Sequence, residues 1–449
     1  LATVVIGGLI TATLLTLLVL PTLYVWVTER SARKWQKTIV SVLLCLFAGM
    51  PFAEAQTDTG IAQRVSLDTL LNWSARGNLS LLSTKKEADY WLRLSTAPAD
   101  FGITQAGGEY GNVNSFKTDT RFFVNQSINL PIVYRQQRNL LLAEAKNKTL
   151  QAGWKQTELS RQVRIVFYAL VELEEREKLV VELDSIYKRF LEAASLRLQA
   201  GEANALEQVS AEAQVQQLAL QKTAIEADRV MLQKQLQQLT RTTVLVKPAY
   251  TDPVLVPTIG TFSAVNHPQV LYQQQQAALA MAQGGVEKAK LAPTLTVGYA
   301  NQSIIGYASK DGVSQTYFGA GDRFHIFNMT VALPIFMRST KMRIQAAATL
   351  AEAANLQAKE VETQLQTDAD KLLASYRRYQ QQLDYYHQTG LVLARQLNRQ
   401  AMLAFTEGEI DYLQWIQLMN QSVSIRLQHI DVINAINQVM IDMEYLNAK

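Results

Sequence analysis

Twice along the chain, an alternating strand ends in Leu-Pro and runs into a very long polar helix. The first copy reads Val124-Asn125-Gln126-Ser127-Ile128-Asn129-Leu130-Pro131, the second Phe327-Asn328-Met329-Thr330-Val331-Ala332-Leu333-Pro334. After each proline comes an Ala- and Gln-rich stretch with almost no Gly or Pro. It reaches Gly201 in one copy and Gly390 and Gly408 in the other. Barrel-like strands feeding oversized helices point to a tube, not to a catalytic pocket.

Phe122, Val124, Gln126, Ile128 and Leu130 fall on one face of the first strand, and Phe123, Asn125, Ser127 and Asn129 on the other. A half-buried strand of a soluble sandwich gives the same period of two, so one strand does not decide. The second copy repeats the pattern, with Phe327, Met329 and Val331 opposite Asn328, Thr330 and Ala332. Leu295–Asn301 alternates too, and a polar loop, Gln302–Asp322, separates the pair. One apolar and one polar face suit a membrane barrel that encloses water. Four strands cannot close a barrel, since about eight is the practical minimum, and an open sheet leaves unpaired backbone groups in lipid. Several chains must then share one barrel, and a trimer would supply twelve strands.

The long helices are expected over about 134–199 and 336–406, returning as shorter helices over about 204–239 and 410–446. Leu159, Val163, Val166, Leu170 and Leu173 step by threes and fours, as do Leu365, Ala369, Leu372, Tyr376, Tyr379, Leu383 and Tyr386. This is a coiled-coil seam. A separate helix is expected over Val65–Leu82, extended through Trp91–Leu94. The two helix turns match: Leu198-x-x-Gly201-Glu202-x-x-x-Leu206 corresponds to Phe405-x-x-Gly408-Glu409-x-x-x-Leu413. Glycine there supplies a left-handed cap. The turns are 207 positions apart and the prolines 203, which places about one extra turn in the second long helix. Residues 242–257, rich in Pro and β-branched residues, read as a linker across the helices.

The 449 residues carry a net charge of +4, half of it in residues 1–55. A near-neutral body argues against a nucleic-acid partner. The one cysteine, Cys45, lies in an apolar run, which excludes a disulfide framework. Leu1–Val27 is continuously apolar and long enough to span a bilayer, so residues 1–28 read as a transmembrane helix of the inner membrane, if retained. In residues 29–55 a basic stretch, Arg30–Lys37, precedes a short apolar run and Ala53-Glu54-Ala55. This is the order of a secretory signal cleaved after Ala55; a second membrane helix is the other reading.

Together these residues resemble the TolC-type outer-membrane efflux protein family across about residues 57–447. The resemblance rests on the two Leu-Pro joints, the two Gly-Glu turns and Asn266-His267-Pro268 opening the second half. It implies an α+β membrane fold: a homotrimeric twelve-strand barrel in outer-membrane lipid, continued by a helical tunnel through the periplasm. The halves are then residues 56–241, with strands over about 101–130, and 258–447, with strands over about 294–333. The start, Leu1 through Tyr24, resembles the last transmembrane helix of a heavy-metal efflux pump of the resistance-nodulation-division (RND) class. That suggests a pump fused upstream and heavy-metal cations as cargo.

No catalytic constellation appears, and neither an enzyme activity nor a cofactor is expected. His267, His325, His387 and His429 are far apart in sequence and lack metal-ligand spacing. The ten methionines read as core filler. Glu172, Glu174, Arg176, Glu175, Glu177 and Lys178 read as a solvated helix face. The turns, with Leu198, Gly201, Glu202, Leu206, Phe405, Gly408, Glu409 and Leu413, are candidate docking tips for a periplasmic adaptor (membrane fusion protein). Arg395, Asn398 and Arg399 lie two to three turns before Gly408, where the resemblance implies a periplasmic constriction. Relatives often carry acidic residues there, so solvated helix charges are the alternative. Two readings remain: an exit duct docked to an adaptor and an inner-membrane pump, or a non-transport coiled-coil scaffold anchored by the first helix.

Overall fold

The computed structural model describes residues 62–97, 101–201, 204–255, 262–309 and 312–448. The expected membrane helix, the signal segment with Ala53 and Ala55, and Glu202 lie outside the described residues. Among the described residues no helix is long and apolar enough to cross a membrane.

The described residues open with a short strand, β1 (Gln63–Val65), and two helices, α1 (Leu67–Gly77) and α2 (Leu79–Ser95). The single helix expected here is split by Asn78. Its extended backbone ends α1, and its side chain caps α2 by accepting from the Leu81 N–H at 3.1 Å. Strands β2 (Thr104–Gly111) and β3 (Asp119–Asn129) lead into α3 (Pro131–Gln199), a helix of 69 residues or about 100 Å. Pro131 occupies its first turn, where a missing N–H costs nothing. The return helix is α4 (Ala205–Thr240), followed by β4 (Val246–Pro248).

The second half adds α5 (Pro268–Ala289), which the sequence reading missed. Strands β5 (Thr294–Ser303) and β8 (Arg323–Ala332) flank a small hairpin, β6 (Gly306–Ser309) and β7 (Gln315–Phe318), where a plain polar loop was expected. Then come α6 (Arg338–Tyr385), a π-helical turn (Tyr386–Gly390), α7 (Leu391–Thr406) and the return helix α8 (Tyr412–Leu446).

The expected extra helical turn is not there. Residues 338–406 match α3 in length, and the four additional residues sit in the non-helical joint 333–337. The cause is local. At the first joint the Tyr134 hydroxyl accepts the Asn129 N–H at 3.0 Å, which locks the strand end onto the first helical turn. Met337 stands at the equivalent place after Pro334 and offers no hydroxyl.

Burial follows the seams. Leu159, Val163, Val166 and Leu170 are buried in α3, joined by Leu70, Leu81, Leu236 and Ile441. Leu365 and Leu383 are buried in α6, with Tyr376 and Tyr379 partly covered. A second cluster near the turns gathers Tyr187, Tyr412, Trp415 and Met419. Met419 and Met440 fill the core as expected, but Met231, Met281 and Met342 are exposed, against the core-filler reading. Their helices have neighbours on too few sides to bury them.

The 242–257 segment is pinned rather than loose. β4 pairs in parallel with β1, and the Gln233 amide bonds both the N–H and the C=O of Val246. Asn437, buried on α8, donates to the Pro253 carbonyl at 2.7 Å and accepts from the Leu255 N–H at 2.8 Å. A buried strap needs these partners because unpaired backbone groups away from water are costly.

Candidate functional site

The four long strands form one antiparallel sheet in the order β2-β3-β5-β8, which leaves β2 and β8 as edges. Registration places like with like. Val124, Tyr299 and Phe327 stand side by side, as do Ile128, Leu295 and Val331. Most of these apolar side chains have little cover, Phe327 being 83% exposed and Val331 54%, while Ile128 and Leu295 are half-buried. The other face carries Asn125, Gly298 and Asn328 in one row and Ser127, Thr296 and Thr330 in the next. Ser127 Oγ lies 2.9 Å from Thr296 Oγ1. Gly298 is needed there, because a Cβ would collide with the side-chain oxygens of both Asn125 and Asn328. One row on, Phe123, Ala300 and Ile326 interrupt the polar face.

The joints Leu130-Pro131 and Leu333-Pro334 both end strands of this sheet, though only the first proline starts a helix. The surface at the second joint is oily: Ile335 and Phe336 are 77% and 96% exposed.

At the opposite ends of the long helices, Gly201 and Gly408 have φ of 73° and 76°. The second turn is a full Schellman motif. The Gly408 N–H donates to the Phe405 carbonyl at 3.2 Å and the Glu409 N–H to the Ala404 carbonyl at 2.8 Å. Asp411 then starts α8 with a capping box to Gln414. At the first turn the Gly201 N–H donates to the Leu198 carbonyl at 3.1 Å, and Asn204 caps α4. Leu206 and Leu413 are half exposed, whereas Phe405 packs on Phe190 and Trp415. Nothing lies within 4 Å of a Cβ added to Gly408. A Gly408→Val change would therefore act through the left-handed backbone alone, at about 1 kcal/mol or more. Under the docking role expected from the sequence, it should reduce export while leaving assembly intact, and wild-type export with valine at both turns would reject that role.

Arg395, Asn398 and Arg399 lie on α7, with both arginines exposed and Asn398 half-buried. Arg395 Nε donates to the Leu391 carbonyl at 3.2 Å. The buried side of α7 is marked instead by Ala394 and Ala401.

The acidic run on α3 is not a solvated face. Glu174 pairs with Arg64 of β1 at 3.8 Å and Lys247 of β4 at 3.4 Å. Glu175 bonds Lys178 and the Tyr250 hydroxyl, both at 2.6 Å, and Glu177 bonds Arg229 of α4 at 2.6 Å. Arg176 bridges Glu172 and Asp431 of α8. Burial and the Glu175 carboxylate push the Tyr250 phenol up to about 12. This hub ties the strap to three helices. It was illegible in sequence because the partners lie up to 255 positions away.

The histidines divide. His267 is fully buried and caps α5, with Nδ1 accepting from the Gln269 N–H and Nε2 facing the Tyr445 carbonyl. His325 meets the Tyr299 hydroxyl at 2.6 Å on the sheet. His387 and His429, read as far apart, touch. Among the described residues no three His, Cys, Asp or Glu side chains gather as metal ligands.

By sequence the chain matches no established protein-family pattern and no curated protein. Its fold, however, is that of bacterial outer-membrane channels. A membrane protein from Pseudomonas aeruginosa superposes with a TM-score of 0.72 at 15% identity, over 87% of this chain and 91% of that one. The Campylobacter jejuni CmeC outer membrane channel gives 0.69 at 14% identity, over 85% of each chain. CusC, whose structures follow folding and transmembrane channel formation, gives 0.69 at 15% identity, over 86% and 92%. The single-chain part of the fold implied by the TolC-type resemblance, long helices joined to a four-stranded sheet, is thus the fold found.

Proposed function

We propose that this chain is one third of a passive exit duct in the outer membrane. Three copies close the sheet into a twelve-stranded barrel, β2 of each pairing with β8 of the next. The long helices continue it through the periplasm. The observation that carries this reading is the open four-stranded sheet with one exposed apolar face. In lipid its two edges must be paired, and only other copies can do so. Exposed Met342, Leu350 and Leu356 on α6 also ask for a neighbouring chain. The halves, 56–241 and 258–447, are read as one unit duplicated.

The Gly201 and Gly408 turns are the ends that meet a periplasmic adaptor, and an RND pump of the inner membrane delivers the cargo. The resemblance of residues 1–28 to a heavy-metal pump makes metal cations the favoured substrate. A coiled-coil scaffold has no use for the sheet, which weighs against that alternative. Native mass spectrometry in detergent is expected to show a trimer. A stable monomer retaining its full strand content would reject the shared barrel.

A further inference from the structure

The π turn at Tyr386–Gly390 is the one break in regular geometry along residues 338–406, and such turns are frequent at functional sites. It carries His387, whose ring meets that of His429 on α8 with centroids 5.3 Å apart at 60°. His387 is exposed and His429 half-buried. His429 Nε2 is buried with no hydrogen-bond partner in the chain. A buried polar atom left unpaired calls for an explanation.

The neighbouring charges are already engaged. Glu175, the carboxylate acting on His429, holds Lys178 and Tyr250. Asp431 holds Arg176, and the Tyr386 hydroxyl donates to Gln428 at 3.1 Å. A neutral imidazole is the form that binds metals.

We propose that His387 and His429 form a two-imidazole site for a borderline d-block cation such as Zn²⁺ or Cu²⁺, with the other coordination positions left to water. A centroid separation of 5.3 Å is what two imidazoles sharing one ion at metal–nitrogen distances of about 2.0–2.1 Å require. Imidazole suits such ions, whereas Mg²⁺ and Ca²⁺ prefer oxygen. Bound across α8 and the turn, the ion would clamp the only irregular point of the helix that leads to Gly408. The proposal stands whatever the duct carries, since binding is measured without transport.

The test uses tag-free, chelator-stripped protein in detergent, titrated with Zn²⁺ and Cu²⁺ against a chromophoric competitor. One equivalent per chain is expected. H387A, altered at an exposed ring, should weaken binding on the order of tenfold or more. H325A, which removes the exposed sheet histidine, should leave it unchanged. Zn²⁺ should also slow amide exchange across Tyr386–Gly390. No saturable binding, equal binding by H387A, or unaltered exchange at the turn would overturn the site.

Discussion

Replacing Trp415 with alanine is expected to cost about 3–5 kcal/mol, the largest loss from any single change in the helical part. Trp415 is fully buried at the start of α8. Its ring stacks on Phe190 at 4.6 Å and meets Tyr187 edge-on at 6.0 Å, with Phe405 at 5.7 Å. It thereby joins α3, α7 and α8 just behind the Gly408 turn. Truncation empties the centre of that cluster, and rigid helices cannot collapse to refill it. Trp415→Phe should be far milder. It keeps an aromatic stack and also removes Nε1, a buried donor without a partner. Denaturant unfolding of the detergent-solubilised protein checks both. Equal stability of the alanine variant and wild type would mean that the turn cluster carries no packing energy.

Changing Arg395 and Arg399 together to serine is expected to raise single-channel conductance severalfold and weaken anion preference in a planar bilayer. The effect depends on the proposed trimer. Three chains would bring six guanidinium groups toward one axis, where mutual repulsion and a positive field would hinder cations. Both side chains are exposed, and Arg395 makes only a bond to its own helix, so they are available for that role. Unchanged conductance and selectivity would return them to ordinary solvated helix charges.

Much of the fold was legible because the patterns are local. Alternation in Val124–Asn129 and Phe327–Ala332 fixes which side chains share a sheet face, whatever the sheet packs against. The three-four spacing from Leu159 to Leu173 fixes the buried stripe of a helix in the same way. Glycine at 201 and 408 announces a left-handed backbone, since almost no other residue adopts it cheaply. By contrast, α5 was missed because Val270–Ala289 mixes Gln and Ala without a clear stripe, and only its contacts with α3 and α6 bury Val270 and Ala277.

What the sequence by itself determined was therefore the elements that short-range sterics and periodicity dictate: alternating strands, long seams, glycine turns. What only the tertiary structure decided was which distant side chains meet. Glu174 reaches Arg64 and Lys247, Asn437 holds the strap, and His387 finds His429, 42 positions along the chain. Those meetings depend on the register between helices that pack side by side, set by packing of whole seams rather than by any local preference.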